Sequence, residues 1–270
     1  MKGALNQNSI PKKHGDYLSS LLSVVKEDER IIGVAAIGSL AFGDIDQYSD
    51  LDLLIVCEKE HHEDMIVQSR SFAERAGSLL SCYRGHHVGE PRLLICLYGE
   101  PLLHVDLTFF HLDDFAHDRV QEPLILFERD KRLSDAVAGI EVDFPELDRQ
   151  ELEDKFWVWI FNATNKLARG DLFHALVYLS SIRRTALMPL IQHNAGVIPR
   201  GYRTLRDELP GEFERLKTTH ARNVERKEIA RALRAMVDHY RVVRQHPKNA
   251  TVNHNEAAET AVMEFLSSLE

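Results

Sequence analysis

The sequence predicts an α+β protein in two parts. Residues 1–145 should form a domain with a small mixed β-sheet flanked by helices, and residues 146–270 an all-α helical bundle. Three observations carry this. Before about residue 145, short β-rich apolar runs alternate with helical stretches. Beyond it, nearly every segment repeats its apolar residues at helical period. A chain of 270 residues, 44% hydrophobic and 28% charged, can also bury a sizeable core without staples.

In order, residues 16–28 read as an amphipathic helix and residues 31–37 (IIGVAAI) as a short buried strand. After a Gly-Ser turn and the segment LAFGDIDQYS, Leu51–Val56 reads as a second strand, followed by a polar helix over 61–82. Arg92–Tyr98 and Leu102–Phe110 are apolar runs joined by Gly-Glu-Pro, a hairpin signal, and Pro123–Phe127 is a further short strand. Helices are then expected over 147–169, 171–194, 202–219, 224–246 and 252–269, with Pro189 kinking the second.

The net charge of −9 argues against a non-specific grip on nucleic acid, which needs a basic surface. No apolar run reaches membrane-spanning length, and the first residues lack the apolar region of a signal peptide. Three cysteines, Cys57, Cys82 and Cys96, without metal spacing suggest reduced thiols in a cytoplasmic protein.

The chemistry concentrates between Ile37 and Val56. A Gly38-Ser39 pair after a strand and before a helix should leave backbone N–H groups free for a phosphate, with the Ser39 hydroxyl beside them. Asp50 and Asp52, two apart at a strand start, face the same way, opposite Leu51, Leu53 and Ile55. Two such carboxylates repel, and a cation relieves the repulsion; hard oxygen ligands of this kind suit Mg²⁺ together with substrate phosphates. In Leu103–Phe109, Asp106 shares a face with His104 and Thr108. If that strand pairs beside the Asp50–Asp52 strand, three carboxylates converge, enough for two metal ions.

Gly38-Ser39, ten residues, then Asp50-Leu-Asp52-Leu, with Asp106 on a later strand, resembles the signature of the polymerase-β-like nucleotidyltransferase superfamily. The fuller form, Gly-Ser-x-Ala-x-Gly-Asp followed by Ser-Asp-Leu-Asp-Leu, is similar to the small-molecule branch with the aminoglycoside and lincosamide nucleotidyltransferases. The likeness covers residues 31–110 well and the helical half only in layout. It implies Gly38 and Ser39 at the triphosphate of ATP and Asp50 and Asp52 on Mg²⁺. Asp106 would be a further metal ligand, the general base, or both. It also implies in-line attack by a hydroxyl of a small acceptor on the α-phosphorus, with pyrophosphate leaving. The helical domain would bind acceptor or dimerise; a homodimer follows if the acceptor site is shared.

Because Asp106 is shorter than Glu, Glu122 and Glu128 stand as alternative bases. Other features read as ordinary structure. Asp44 is a turn residue; His61-His62-Glu63-Asp64 is a solvated helix start; His86-His87 sits in a loop; Trp157, Trp159 and Phe161 are core or interdomain packing; Arg183-Arg184 is a solvated face. Glu151, Glu153 and Asp154 read as the favourable negative charge of a helix start. Two Arg-x₄-His spacings, Arg169/His174 and Arg241/His246, admit a second reading as an antitoxin-like transferase acting on a protein, and an inactive nucleotide-binding protein is a third.

Overall fold

The computed structural model describes residues 10–117, 121–139 and 146–269. It divides into two compact units, Met1–Phe144 and Pro145–Glu270. The change of character expected near residue 145 falls among residues outside the described set.

In the first unit α1 (Lys12–Glu27) leads into β1 (Ile31–Ile37), the short α2 (Gly38–Phe42) and β2 (Leu51–Cys57). The helix expected over 61–82 is shorter: α3 (His62–Val67) and α4 (Ser69–Ala76) end at Gly77, and Leu79–Arg84 is an edge strand, β3. Its exposed, polar-studded LLSCYR lacks the apolar alternation that would mark it in sequence; pairing with β4 (Leu93–Tyr98) makes it a strand. The Gly-Glu-Pro hairpin forms as expected, joining β4 antiparallel to β5 (Leu103–His111). Then follow α5 (Leu112–His117), β6 (Leu124–Glu128) and α6 (Arg132–Val137).

The six strands run in the order β3-β4-β5-β2-β1-β6. All neighbours are antiparallel except β2 and β5, which are parallel, so the sheet is mixed. Odd residues of β2 (Leu51, Leu53, Ile55) pack on one face with Leu21 and Val25 of α1, Met65 of α3 and Phe72 of α4. On the other face, Leu54 and Val56 pack with Phe110, Phe115 of α5 and Leu133 of α6. That second apolar cluster starts at Leu54. Asp52, at the other end of the same face, lies outside it.

The second unit is helical: α7 (Arg149–Ala168), α8 (Leu172–Ile182), α9 (Met188–Ala195), α10 (Tyr202–Glu208), α11 (Pro210–Lys217), α12 (Arg226–Arg244) and α13 (Glu256–Ser267). Just before Pro189, where the second helix was expected to kink or shorten, a π-helical turn, Arg183–Leu187, separates α8 from α9. Proline cannot donate to the carbonyl four residues back, and a wider turn accommodates that loss. Phe156, Trp157 and Ile160 pack with Leu233, Val237 and Tyr240, so Trp157 is core as expected and Trp159 packs against that core, whereas Phe161 is exposed.

The fold is thus α+β with a helical C-terminal region. Among the described residues, no helix is long and apolar enough to cross a membrane.

Candidate active site

The parallel pairing of β2 with β5 sets Asp52 directly opposite Asp106. Directly paired residues point to the same face, so the two carboxylates stand side by side, as the strand-pairing condition required. Asp50 lies one residue before β2, in the loop after α2. Asp46 and Ser49 build that loop: the Tyr48 N–H donates to Asp46 Oδ1 at 2.8 Å, and the Asp46 N–H to Ser49 Oγ at 3.0 Å. Fully buried His14 of α1 anchors it, with Nε2 2.7 Å from the Ser49 carbonyl.

His104 joins the carboxylates. Its Nε2 lies 3.0 Å from Asp106 Oδ1 and its Nδ1 3.7 Å from Asp50 Oδ2. The ring is poorly aligned on Asp106: Oδ1 is buried and accepts no hydrogen bond. Burial, followed by repulsion from Asp50 and Asp106, pushes the Asp52 carboxyl up from 3.8 to about 6, with His104 offsetting only part of this. Burial likewise raises Asp106; His104 opposes that shift and Asp50 adds to it.

Gly38 is the other half of the site. Its φ of +64° is left-handed, and a Cβ there would overlap Asp52 Oδ2. Only glycine lets this carboxylate lie against the chain. One expectation changes: the Gly38 N–H is not free but donates to Gln121 Oε1 at 3.1 Å. The Ser39 hydroxyl, by contrast, is buried without a hydrogen-bond partner. Gly38, Ser39, Asp50, Asp52 and Asp106 therefore gather at one end of β1, β2 and β5, since Ile37 also pairs with Asp52.

The alternative base Glu128 does not join them. It ends β6 opposite Gly33, at the other end of β1 from Ile37, and accepts from the Ser134 N–H at 2.9 Å and hydroxyl at 2.5 Å. Glu122 is exposed, two residues before β6. Arg183, read as solvated, is buried and donates to the Thr219 carbonyl at 2.8 Å. Glu153, read as a solvated helix start, is fully buried.

Sequence reasoning missed His14, Gln121 and the bridging position of His104. His14 carried a signal, standing at helical spacing ahead of Tyr17, Leu18 and Leu21. Gln121 carried none, being 83 residues from Gly38.

The donor set suits a hard divalent cation: three carboxylates meet, their repulsion is incompletely offset, and a buried Asp106 oxygen lacks a hydrogen bond. A model of the family described as streptomycin adenylyltransferase matches residues 12–269. A search of curated proteins found no match. Among solved structures the chain is similar to an aminoglycoside 6-adenyltransferase from Bacillus subtilis, with 17% identity and a TM-score of 0.41 over 94% of this chain and 98% of that one. A nucleotidyltransferase-like protein from Exiguobacterium sibiricum follows at 16% identity and TM-score 0.37, over 93% and 89%. A spectinomycin adenyltransferase from Enterococcus faecialis shows 14% identity and TM-score 0.27, over 96% and 98%. The family match spans nearly the whole chain, including all three aspartates: the protein belongs to the streptomycin adenylyltransferase family and is a nucleotidyltransferase.

Proposed function

We propose that the enzyme transfers AMP from ATP to a hydroxyl of a small antibiotic, an aminoglycoside before a lincosamide, and releases pyrophosphate. The Asp52–Asp106 pairing, with Asp50 linked to Asp106 through His104, is the observation that supports this most. Asp50, Asp52 and Asp106 would hold Mg²⁺, and Gly38 and Ser39 would meet the triphosphate. When bound, Mg²⁺ supplies charge neutralisation at the phosphates and lowers the cost of gathering three carboxylates.

The residues themselves do the following. Ser39 offers its unpaired hydroxyl to a phosphate oxygen. Gly38 keeps Asp52 close to the backbone at that point. Asp106, beside Asp52 on the paired strand, would take the acceptor hydroxyl's proton. The acceptor oxygen then bonds to the α-phosphorus as the bond to pyrophosphate breaks. His104 lies beside both Asp50 and Asp106 and offsets part of the repulsion among the carboxylates.

In the unit Pro145–Glu270, a cavity of about 440 Å³ is lined largely by apolar side chains such as Ile191, Leu209 and Val242. Its carboxylate, Glu212, is already 2.7 Å from His239 Nε2. That lining does not suit a polycation, so this cavity is not assigned to the acceptor. The free thiols of Cys57, Cys82 and Cys96 support a cytoplasmic enzyme.

Mass spectrometry of ATP, Mg²⁺ and a panel of aminoglycosides and lincosamides tests the reading, with Asp50→Asn as control. A single adenylylated compound, absent in the control, is expected. Adenylylation of a protein instead would favour the antitoxin-like reading, and failure to bind ATP at all would sink both.

A further inference from the structure

At the opposite end of β5 from Asp106, a second group of metal-competent side chains converges. His111 closes β5, in register with Cys57 at the end of β2. Five residues of strand separate it from Asp106, roughly 16 Å. His62 opens α3, and its ring stands edge-on to that of His111, centroids 5.1 Å apart at 87°. Asp114 of α5 brings Oδ2 to 3.1 Å from His111 Nε2. One ligand atom from each of the three lies within 4.8 Å of the other two.

We propose that His62, His111 and Asp114 form a site for a zinc-class divalent cation, separate from the three-aspartate site. Two imidazoles with one carboxylate select a borderline metal such as Zn²⁺, whereas an all-carboxylate set suits Mg²⁺. The surroundings match a metal site at His62. A metal-ligating histidine usually donates its other ring N–H to a backbone carbonyl or a carboxylate. His62 Nε2 lies 3.0 Å from the Phe109 carbonyl, which leaves Nδ1 as its ligand atom. On His111 the nitrogen facing Asp114 is Nε2, its ligand atom, while Nδ1 lies 3.9 Å from Asp113 Oδ2.

Asp114 is also held by Arg92, whose Nη1 lies 3.2 Å from Oδ2 while its guanidinium stacks on Phe110 at 4.4 Å. Arg92 shares its charge with Glu90, 2.7 Å away, so it orients Asp114 without fully neutralising it. Ligand atoms around tetrahedral zinc lie roughly 3.3 Å apart. Binding therefore draws these side chains inward by about an ångström and ties α3, β5 and α5 together. The local cluster His61-His62-Glu63-Asp64 was read as solvated; the partners of His62 lie about fifty residues further on.

The test uses tag-free full-length protein carrying Asp50→Asn, Asp52→Asn and Asp106→Asn, which removes the other metal set. Zn²⁺ alone is titrated by calorimetry, and Co²⁺ alone is followed by visible absorption. The proposal expects one equivalent bound, intense tetrahedral Co²⁺ bands and a higher melting temperature with Zn²⁺. Adding His62→Gln should weaken binding by about tenfold or more. Adding Asp114→Asn instead should do the same, and circular dichroism without metal confirms that each variant folds. Absence of binding in the triple variant, or binding unchanged by both added substitutions, overturns the site. Neither result touches the transferase reading, which the adduct experiment decides.

Discussion

Two carboxylates, Asp52 in the first unit and Glu153 in the second, receive opposite electrostatic treatment. Glu153 is fully buried, yet it sits among donors: Trp157 Nε1 at 2.8 Å, the Tyr240 hydroxyl at 2.7 Å, Arg244 Nη1 at 3.1 Å and the Asn255 N–H at 3.1 Å. Burial alone would raise its pKa; these donors reverse that and hold it below the usual carboxylate value. Burial raises Asp52 as well, repulsion from Asp50 and Asp106 adds to it where Glu153 has donors, and its pKa rises to about 6. Charge satisfaction, not depth, separates the two. A satisfied carboxylate ties helices together, whereas an unsatisfied cluster is kept at a cost to stability that a ligand can relieve.

The largest expected effect would break the comparison if it failed. Asp52→Asn should lower the rate of adenylyl transfer by roughly three orders of magnitude, measured as turnover of the acceptor found in the panel. Glu153→Ala should do the reverse: it leaves the Trp157, Tyr240 and Asn255 donors without their acceptor while Arg244 keeps Glu259, costing about 3 kcal/mol of stability in chemical denaturation. Its activity per folded molecule should stay near that of the unaltered enzyme.

A pH series sharpens the contrast. The folded value of Asp52, about 6, lies above its ordinary 3.8, so the native state holds this proton more tightly. The resulting penalty is absent below about pH 4, grows through the interval and is complete above about pH 6. Metal-free Asp52→Asn should therefore exceed the unaltered enzyme in stability by about 3 kcal/mol at pH 8, with the difference vanishing near pH 4. A difference constant across that range would show that the pKa is not raised. The smallest effect is expected from Tyr240→Phe, which removes one donor from Glu153 and should cost about 1–2 kcal/mol with no change in the rate of transfer.

Much of this was legible from residues alone. Ile31–Ile37 forms a strand over the range read from its apolar run, because a central strand buried on both faces leaves an unbroken apolar signal. The Gly38-Ser39 and Asp50-x-Asp52 spacing is local, and so is the shared face of His104 and Asp106. β3 was missed because an exposed edge strand has little apolar pattern. Glu153 was misjudged because the negative charge of a helix start looks the same in sequence whether water or Tyr240 receives it.

The sequence by itself determined the α+β class and marked Gly38, Asp50, Asp52 and Asp106 as candidates, since each of these readings rests on neighbouring residues and the fixed periods of strand and helix. Tertiary structure decided which charges meet. The parallel pairing of β2 and β5 makes Asp52 and Asp106 neighbours, and the packing of α7 against α12 gives Glu153 its donors. Charge interactions fall off over a few ångströms in space without regard to separation along the chain, so no local pattern could have assigned those partners.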